Sequence, residues 1–183
     1  MAYAVTIVAG FAFGALDQYV GSRVTLGPWA TTVSLLSAPW LIVPFVAGCT
    51  QTRVRRAMAL GLVAVLAALA GYFAMTYSPM EGVPLRRFWS GEVSIVTSGY
   101  NPAYILAGIV LGPLYGWLGQ RWRVDRFWLS AVLVAAPLIL EPLARRSFEP
   151  LSGPPLVWWL EIAVGLLVAA GALAFMRARR PAG

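Results

Sequence analysis

The chain has 183 residues, of which 60% are hydrophobic and only 11% are charged. A soluble domain carries about 25% charged residues, and a chain of this size cannot bury so much apolar surface in one soluble core. The net charge of +7 comes from fourteen basic residues, all arginine, and the mean hydropathy is +0.74. Because these arginines stand in short clusters between long apolar runs, they indicate membrane topology rather than a nucleic-acid partner. The composition predicts an integral membrane protein.

Six apolar runs are long enough to cross the hydrocarbon layer, which is about 30 Å thick, at about 1.5 Å of helix per residue. They cover residues 2–20, 31–49, 57–77, 101–119, 127–143 and 155–176. Backbone groups in lipid must be hydrogen-bonded within the segment, so each run predicts a helix. The predicted fold is an all-α bundle of six transmembrane helices in a single membrane domain.

Arginine counts predict the orientation of the spans. Nine arginines fall on the side of the two termini, and five fall on the other side. The nine are Arg53, Arg55, Arg56, Arg121, Arg123, Arg126, Arg177, Arg179 and Arg180. Since cytoplasmic loops carry the arginine excess, we expect a bacterial cytoplasmic membrane protein with both termini in the cytoplasm. Segment 78–99 is then an external linker or, alternatively, a lid, and 177–183 is a cytoplasmic tail that anchors to the inner leaflet.

A shift of 98 residues aligns the chain with itself. The ungapped alignment of 7–45 with 105–143 contains 11 identities in 39 positions, including glycines, prolines and an arginine. Chance matching of small apolar residues is the alternative to duplication. We predict two repeats of three spans, at about 1–77 and 100–176. Because three is odd, the second repeat enters the membrane from the opposite face, as in the inverted-topology repeats of transporters and channels.

Two matching segments, 38–45 and 136–143, each place two prolines five residues apart in a span. The prolines are Pro39, Pro44, Pro137 and Pro142. Each proline removes a backbone hydrogen bond and kinks or breaks a helix. We predict helix breaks at these prolines, with freed carbonyls that coordinate an ion or solute. The alternative is a set of kinks that only shape packing.

Glu161 stands six residues, or about 9 Å, inside the sixth run. A carboxylate at this depth needs water, a cation or an arginine to stay ionised, so it indicates a functional site. We predict a solute site in the outer half of the bundle, with Glu161 as its main charged group, two more acids at its mouth and two arginines as counter-charges. The predicted site residues are Glu161, Asp17, Glu141, Arg23 and Arg145. The alternatives are that Asp17 and Glu141 reach the headgroups and that Glu161 extends to the surface beside Trp158.

Small residues recur at four-residue spacing, at Gly10 and Gly14 and at Gly108 and Gly112. Such faces let helices approach closely. We expect them first to pack helices of this chain, and second to contact a second copy or another membrane subunit.

The residue types present in the chain argue against an enzyme. The chain has no histidine and no lysine, and Cys49 is its single cysteine. Ser-His and Cys-His pairs and a cysteine metal cluster therefore cannot form, and no phosphate-binding glycine loop is present. We expect no catalytic activity, no cofactor and no metal.

The segments LDQYVGS, TLGPWATTVSLLSAPWL and GYFAMTYSPMEGV resemble stretches from a family of small, uncharacterised actinobacterial membrane proteins. This resemblance covers about the first half of the chain and implies no activity. In size and in its six spans, the chain is also similar to the substrate-binding S components of energy-coupling-factor importers. We predict a membrane transport protein, which is a small carrier, a channel or an importer subunit. The alternative is a non-transporting membrane subunit or an assembly partner of a larger complex.

Overall fold

The computed structural model describes residues 1–76, 99, 101–148 and 154–178. Seven α-helices lie within these residues, and a short 3-10 helix, Val24–Leu26, joins the first two. The helices are α1 (Ala2–Ser22), α2 (Pro28–Ser34), α3 (Ala38–Cys49), α4 (Val54–Thr76), α5 (Asn101–Asp125), α6 (Trp128–Phe148) and α7 (Pro155–Ala178). The predicted external segment at 78–99, except residue 99, and most of the predicted tail at 177–183, with Arg179 and Arg180, lie outside the described residues.

Five of these helices, α1, α4, α5, α6 and α7, are long and apolar enough to cross a membrane. Helices α2 and α3 form a bent pair, which makes a sixth span when the pair is counted as one. Large apolar side chains point away from the bundle, among them Val8 at 68% and Leu167 at 72% exposure. Such side chains suit lipid and not water. The predicted all-α membrane bundle is confirmed, with five or six spans.

The bent pair is interrupted by a break, and α2 and α3 meet there at an angle of 50°. Helix α2 ends at Ser34 and α3 begins at Ala38, so residues 35–37 form the break. Pro39 lies in the first turn of α3, where a missing N–H does no harm, but it cannot donate to the carbonyl of Leu35. The break thus precedes Pro39, while α3 continues through Pro44.

Helix α6 is continuous through Pro137 and Pro142, where breaks were predicted. The carbonyl of Leu133, four residues before Pro137, accepts a hydrogen bond of 2.9 Å from the Tyr115 hydroxyl of α5. This side chain replaces the donor that the proline lacks. The predicted free carbonyl at this position is therefore already occupied within the chain.

Glycines bring four helices into backbone contact. Gly14 of α1 packs on the backbone of Ala68 in α4, and a Cβ added at Gly14 would overlap the Ala68 carbonyl oxygen. Gly61 of α4 meets Gly112 of α5 in the same way, and Gly48 of α3 meets Gly116 of α5. We name these contacts the glycine seams. Close approach of this kind is how small residues stabilise helix pairs in lipid.

The glycine seams agree with the first expectation for these glycines, which is packing between helices of this chain. Gly10 and Gly14 face α4, while Gly108 and Gly112 face Val65 and its neighbours on α4. These four glycines therefore pack helices of this chain, and contact with a second copy or another subunit stays a prediction.

Contacts along the helices establish their directions. Gly10 packs on Ala64 and Gly14 on Ala68, so α1 and α4 run in the same direction, as alternating spans require. We name the end of the bundle where α1 ends and α7 begins the Arg23 end, and the opposite end the Arg123 end. The halves pack differently, because α1 lies along α4 in the first, whereas α6 lies along α7 in the second.

Candidate functional site

Glu141 of α6 reaches across to the break between α2 and α3. Its two carboxylate oxygens accept the backbone N–H of Ser37 at 2.9 Å each, and one of them accepts the N–H of Ala38 at 2.9 Å. N–H groups at the start of a helix have no partner within it, and negative charge is favourable there. Glu141 therefore caps α3 from another helix, and its side chain is only 10% exposed.

Arg145, one turn further along α6, binds the other side of the break. Its guanidinium forms an ion pair with Glu141, with 2.9 Å between Nη2 and Oε1, and Nε donates to the same oxygen at 3.0 Å. Nη2 also donates to the carbonyl of Leu35 at 2.6 Å. This is the carbonyl that Pro39 leaves without a donor. Each helix end at the break thus meets a side chain of opposite charge.

Glu161 of α7 lies beside this ion pair. Its side chain is buried, at 5% exposure, so it does not face lipid. Glu141 lies within hydrogen-bonding reach, and the charge of Arg145 also acts on it. Among the described residues, no donor group makes a hydrogen bond to either of its oxygens. We name Glu141, Arg145 and Glu161 the carboxylate cluster.

Trp158 lies one helical turn before Glu161 and is also buried, at 4% exposure. Its ring packs with Leu36 and Val157, and its centre lies 6.0 Å from the guanidinium carbon of Arg145. Its indole N–H finds no acceptor in the part of the chain that the structure describes. Buried polar groups are nearly always hydrogen-bonded, and Trp158 and Glu161, one helical turn apart, are two of the exceptions among the described residues.

A cleft of about 400 Å³ opens between α6 and α7 towards the Arg23 end. It is lined mainly by apolar residues, among them Pro142, Leu143, Trp159 and Ile162, and Trp158 forms part of its wall. Arg146 is the charged residue in this lining. The cleft therefore extends from the surface to Pro142 and Ile162, which directly follow Glu141 and Glu161 in the sequence.

Asp17 and Arg23, the other predicted site residues, lie apart from the carboxylate cluster. Asp17 accepts a hydrogen bond from Trp40 and lies near Tyr72, in a group of aromatic rings in edge contact. Arg23 stacks over the ring of Tyr19, 4.6 Å from its centre. Within the described residues, neither forms an ion pair with the cluster. The structure thus joins three of the five predicted residues.

Sequence reasoning predicted a break at Pro39 but missed two parts of the site, which are the binding of Glu141 and Arg145 to the backbone of residues 35–37 and the unpartnered indole N–H of Trp158. The break had a signal in the sequence, since Ser37 stands two residues before Pro39, and serine and an early proline are typical of a helix start. The pair Glu141 and Arg145 also has the four-residue spacing that predicts an ion pair on a helix. The state of Trp158 had no such signal.

The described residues contain no group of three or more histidine, cysteine, aspartate or glutamate side chains that could hold a metal ion. Comparison of the chain with known protein families, curated proteins and solved structures finds no match. The fold and the cluster define a helical protein of the multi-pass membrane class. In it, a partly exposed ion pair binds both sides of the break between α2 and α3, beside a buried carboxylate that accepts no hydrogen bond from the described residues.

Proposed function

We propose that the protein is a membrane transport protein that binds its solute at the carboxylate cluster. The observation that supports this most strongly is Glu161, which is buried with no donor on its oxygens within the described residues. An isolated buried carboxylate is strongly unfavourable, and in a membrane protein such a group marks an ion or solute site by default.

The position of the cluster supports the same function. Transporters commonly bind solutes where a membrane helix is interrupted, because the helix ends and their charged partners form a polar site within the bundle. The break between α2 and α3 has this character, and Glu141 and Arg145 bind its two ends. The cleft between α6 and α7 would serve as the path to the cluster.

The proposed setting is the cytoplasmic membrane of a bacterium, with both termini in the cytoplasm. The Arg123 end carries the arginine-rich segments around Arg53 and Arg121, which supports its placement on the cytoplasmic side. The cluster then lies in the outer half and takes its solute from outside. The inverted duplication remains a prediction, and the described halves pack differently. The proposed site rests on the contacts of the carboxylate cluster and does not depend on the duplication.

Uptake and binding by the purified protein test this function. The protein is reconstituted into proteoliposomes and screened against ions and small metabolites, with Glu161→Gln as the site variant. Asp125→Asn is the matched control, since it also removes one carboxylate, from an exposed ion pair with Arg121 at the other end of the bundle.

We expect a solute that is taken up by the native chain and by Asp125→Asn and is lost in Glu161→Gln. Binding without uptake would favour the importer-subunit form of the proposal, in which partner proteins complete the transport. Neither binding nor uptake of any solute would favour the non-transporting subunit instead.

A further inference from the structure

The carboxylate cluster carries a net negative charge when Glu161 is ionised. Glu141 and Arg145 neutralise each other, so an ionised Glu161 leaves a net charge of −1 in a buried position. Helix α2, which also packs against α7, contributes no ionisable residue, and Arg146 lies on the wall of the cleft. One added positive charge restores neutrality, and removing net charge from a low-dielectric site is strongly favourable.

The hydrogen bonds determine which carboxylate takes this charge. Glu141 already accepts two backbone N–H groups and the guanidinium of Arg145. Glu161 accepts from no donor among the described residues. A proton on Glu161 can also be donated to the neighbouring Glu141, whereas a proton on Glu141 would break its contacts with the helix break.

A metal ion fits this place poorly. Hard metal cations take six or more oxygen ligands. Of the carbonyls that prolines leave without a donor, those of Leu35 and Leu133 are bound by Arg145 and Tyr115. An organic ammonium ion needs fewer oxygens and is attracted to the face of a tryptophan ring. The apolar cleft beside Trp158 has the volume of a small-molecule site.

We propose that Glu161 binds a proton and a small organic ammonium ion in alternation, so that the protein exchanges one for the other. The inference rests on the proposed function and names its substrate class. In the exchange, the ammonium ion replaces the proton, which leaves to water, and the cluster stays neutral in both states. Exchange at a single carboxylate couples the two ions, because both cannot be bound at the same time.

Proton release on ligand addition tests the inference. The full chain in lipid nanodiscs and weak buffer, with a pH indicator, is titrated with benzyltrimethylammonium chloride, which carries no proton of its own. Benzyl alcohol serves as the neutral ligand of similar size, and sodium chloride controls for ionic strength.

We expect release of one proton per chain with the ammonium salt from the native protein and from Asp125→Asn. We expect none from Glu161→Gln, and none with benzyl alcohol or sodium chloride. Glu161→Asp keeps a titratable group, so it restores the release at a higher ligand concentration and shows that the loss in Glu161→Gln is not a folding defect. Equal release from Glu161→Gln, or no release from the native chain, overturns the inference.

The two proposals fail separately. A solute that is taken up equally by the native chain and by Glu161→Gln, with no proton release, would leave a transport protein without this exchange. Proton release at Glu161 without uptake would leave a binding site in a protein that does not transport by itself.

Discussion

Replacing Glu141 by glutamine should destabilise the protein by about 3 kcal/mol, because three contributions at the helix break are lost together. The charge at the N-terminus of α3 contributes about 1 kcal/mol. The ion pair with Arg145, whose side chains are 10% and 38% exposed, contributes at most about 1 kcal/mol. The glutamine amide would also turn a donor towards the N–H groups of Ser37 and Ala38, which costs about 1 kcal/mol.

The free energy of unfolding is measured in mixed detergent micelles by circular dichroism. The control is Asp125→Asn, which breaks an ion pair of the same spacing with both partners 41% exposed, and for which we expect a loss of at most about 0.5 kcal/mol. Arg145→Met should cost about 1 kcal/mol less in a chain that already carries Glu141→Gln than in the native chain. A value for Glu141→Gln equal to that of the control, or costs that simply add, would refute the role of this pair at the break.

Three further substitutions test other contacts. Tyr115→Phe removes the donor to the Leu133 carbonyl and should lower the free energy of unfolding by about 1 kcal/mol, whereas an unchanged value would mean that water replaces the hydroxyl. Gly14→Ala should separate α1 from α4 and cost more than about 2 kcal/mol in the same assay, while Gly171→Ala, where a Cβ meets nothing within 4 Å, should be neutral or stabilising. Trp158→Phe leaves a cavity beside Leu36 but removes an indole N–H that has no acceptor among the described residues, so it should cost no more than about 2 kcal/mol. It should also weaken ammonium binding measured by proton release, and a clearly larger loss of stability would show that the N–H is hydrogen-bonded in the membrane.

The spans were predictable because an apolar segment in lipid must satisfy its backbone hydrogen bonds internally, which it does by forming a helix. The predicted run at 57–77 and the observed α4, Val54–Thr76, differ by a few residues at their ends, as helix boundaries do. The burial of Glu161 was expected from its depth in an apolar run, since a carboxylate there must face protein or water. Glu141 and Arg145 were named as site residues, but their partner, the backbone at residues 35–37, was not.

What the sequence did not reveal depends on which helices pack together. The pairing of Tyr115 with Leu133 and the separation of Asp17 from the carboxylate cluster follow from helix neighbours and rotations, which hydropathy does not encode. Helix neighbours also determine whether the carbonyls that prolines leave without a donor are bound by a side chain. A proline determines where a carbonyl is released, but the facing helix determines whether a side chain of the protein occupies it.

The glycine seams limit how this sequence can change while it keeps its fold. Where two backbones touch without a side chain between them, no larger residue fits, whereas lipid-facing positions accept any apolar residue of similar length. Over many generations, substitution would then replace most of the apolar residues of α1, α4 and α5. The glycines at the contacts would remain, namely Gly10, Gly14, Gly61, Gly112 and Gly116. A distant relative would be recognised by small residues in matching register on three helices, even where its overall identity has fallen to the level of unrelated membrane proteins.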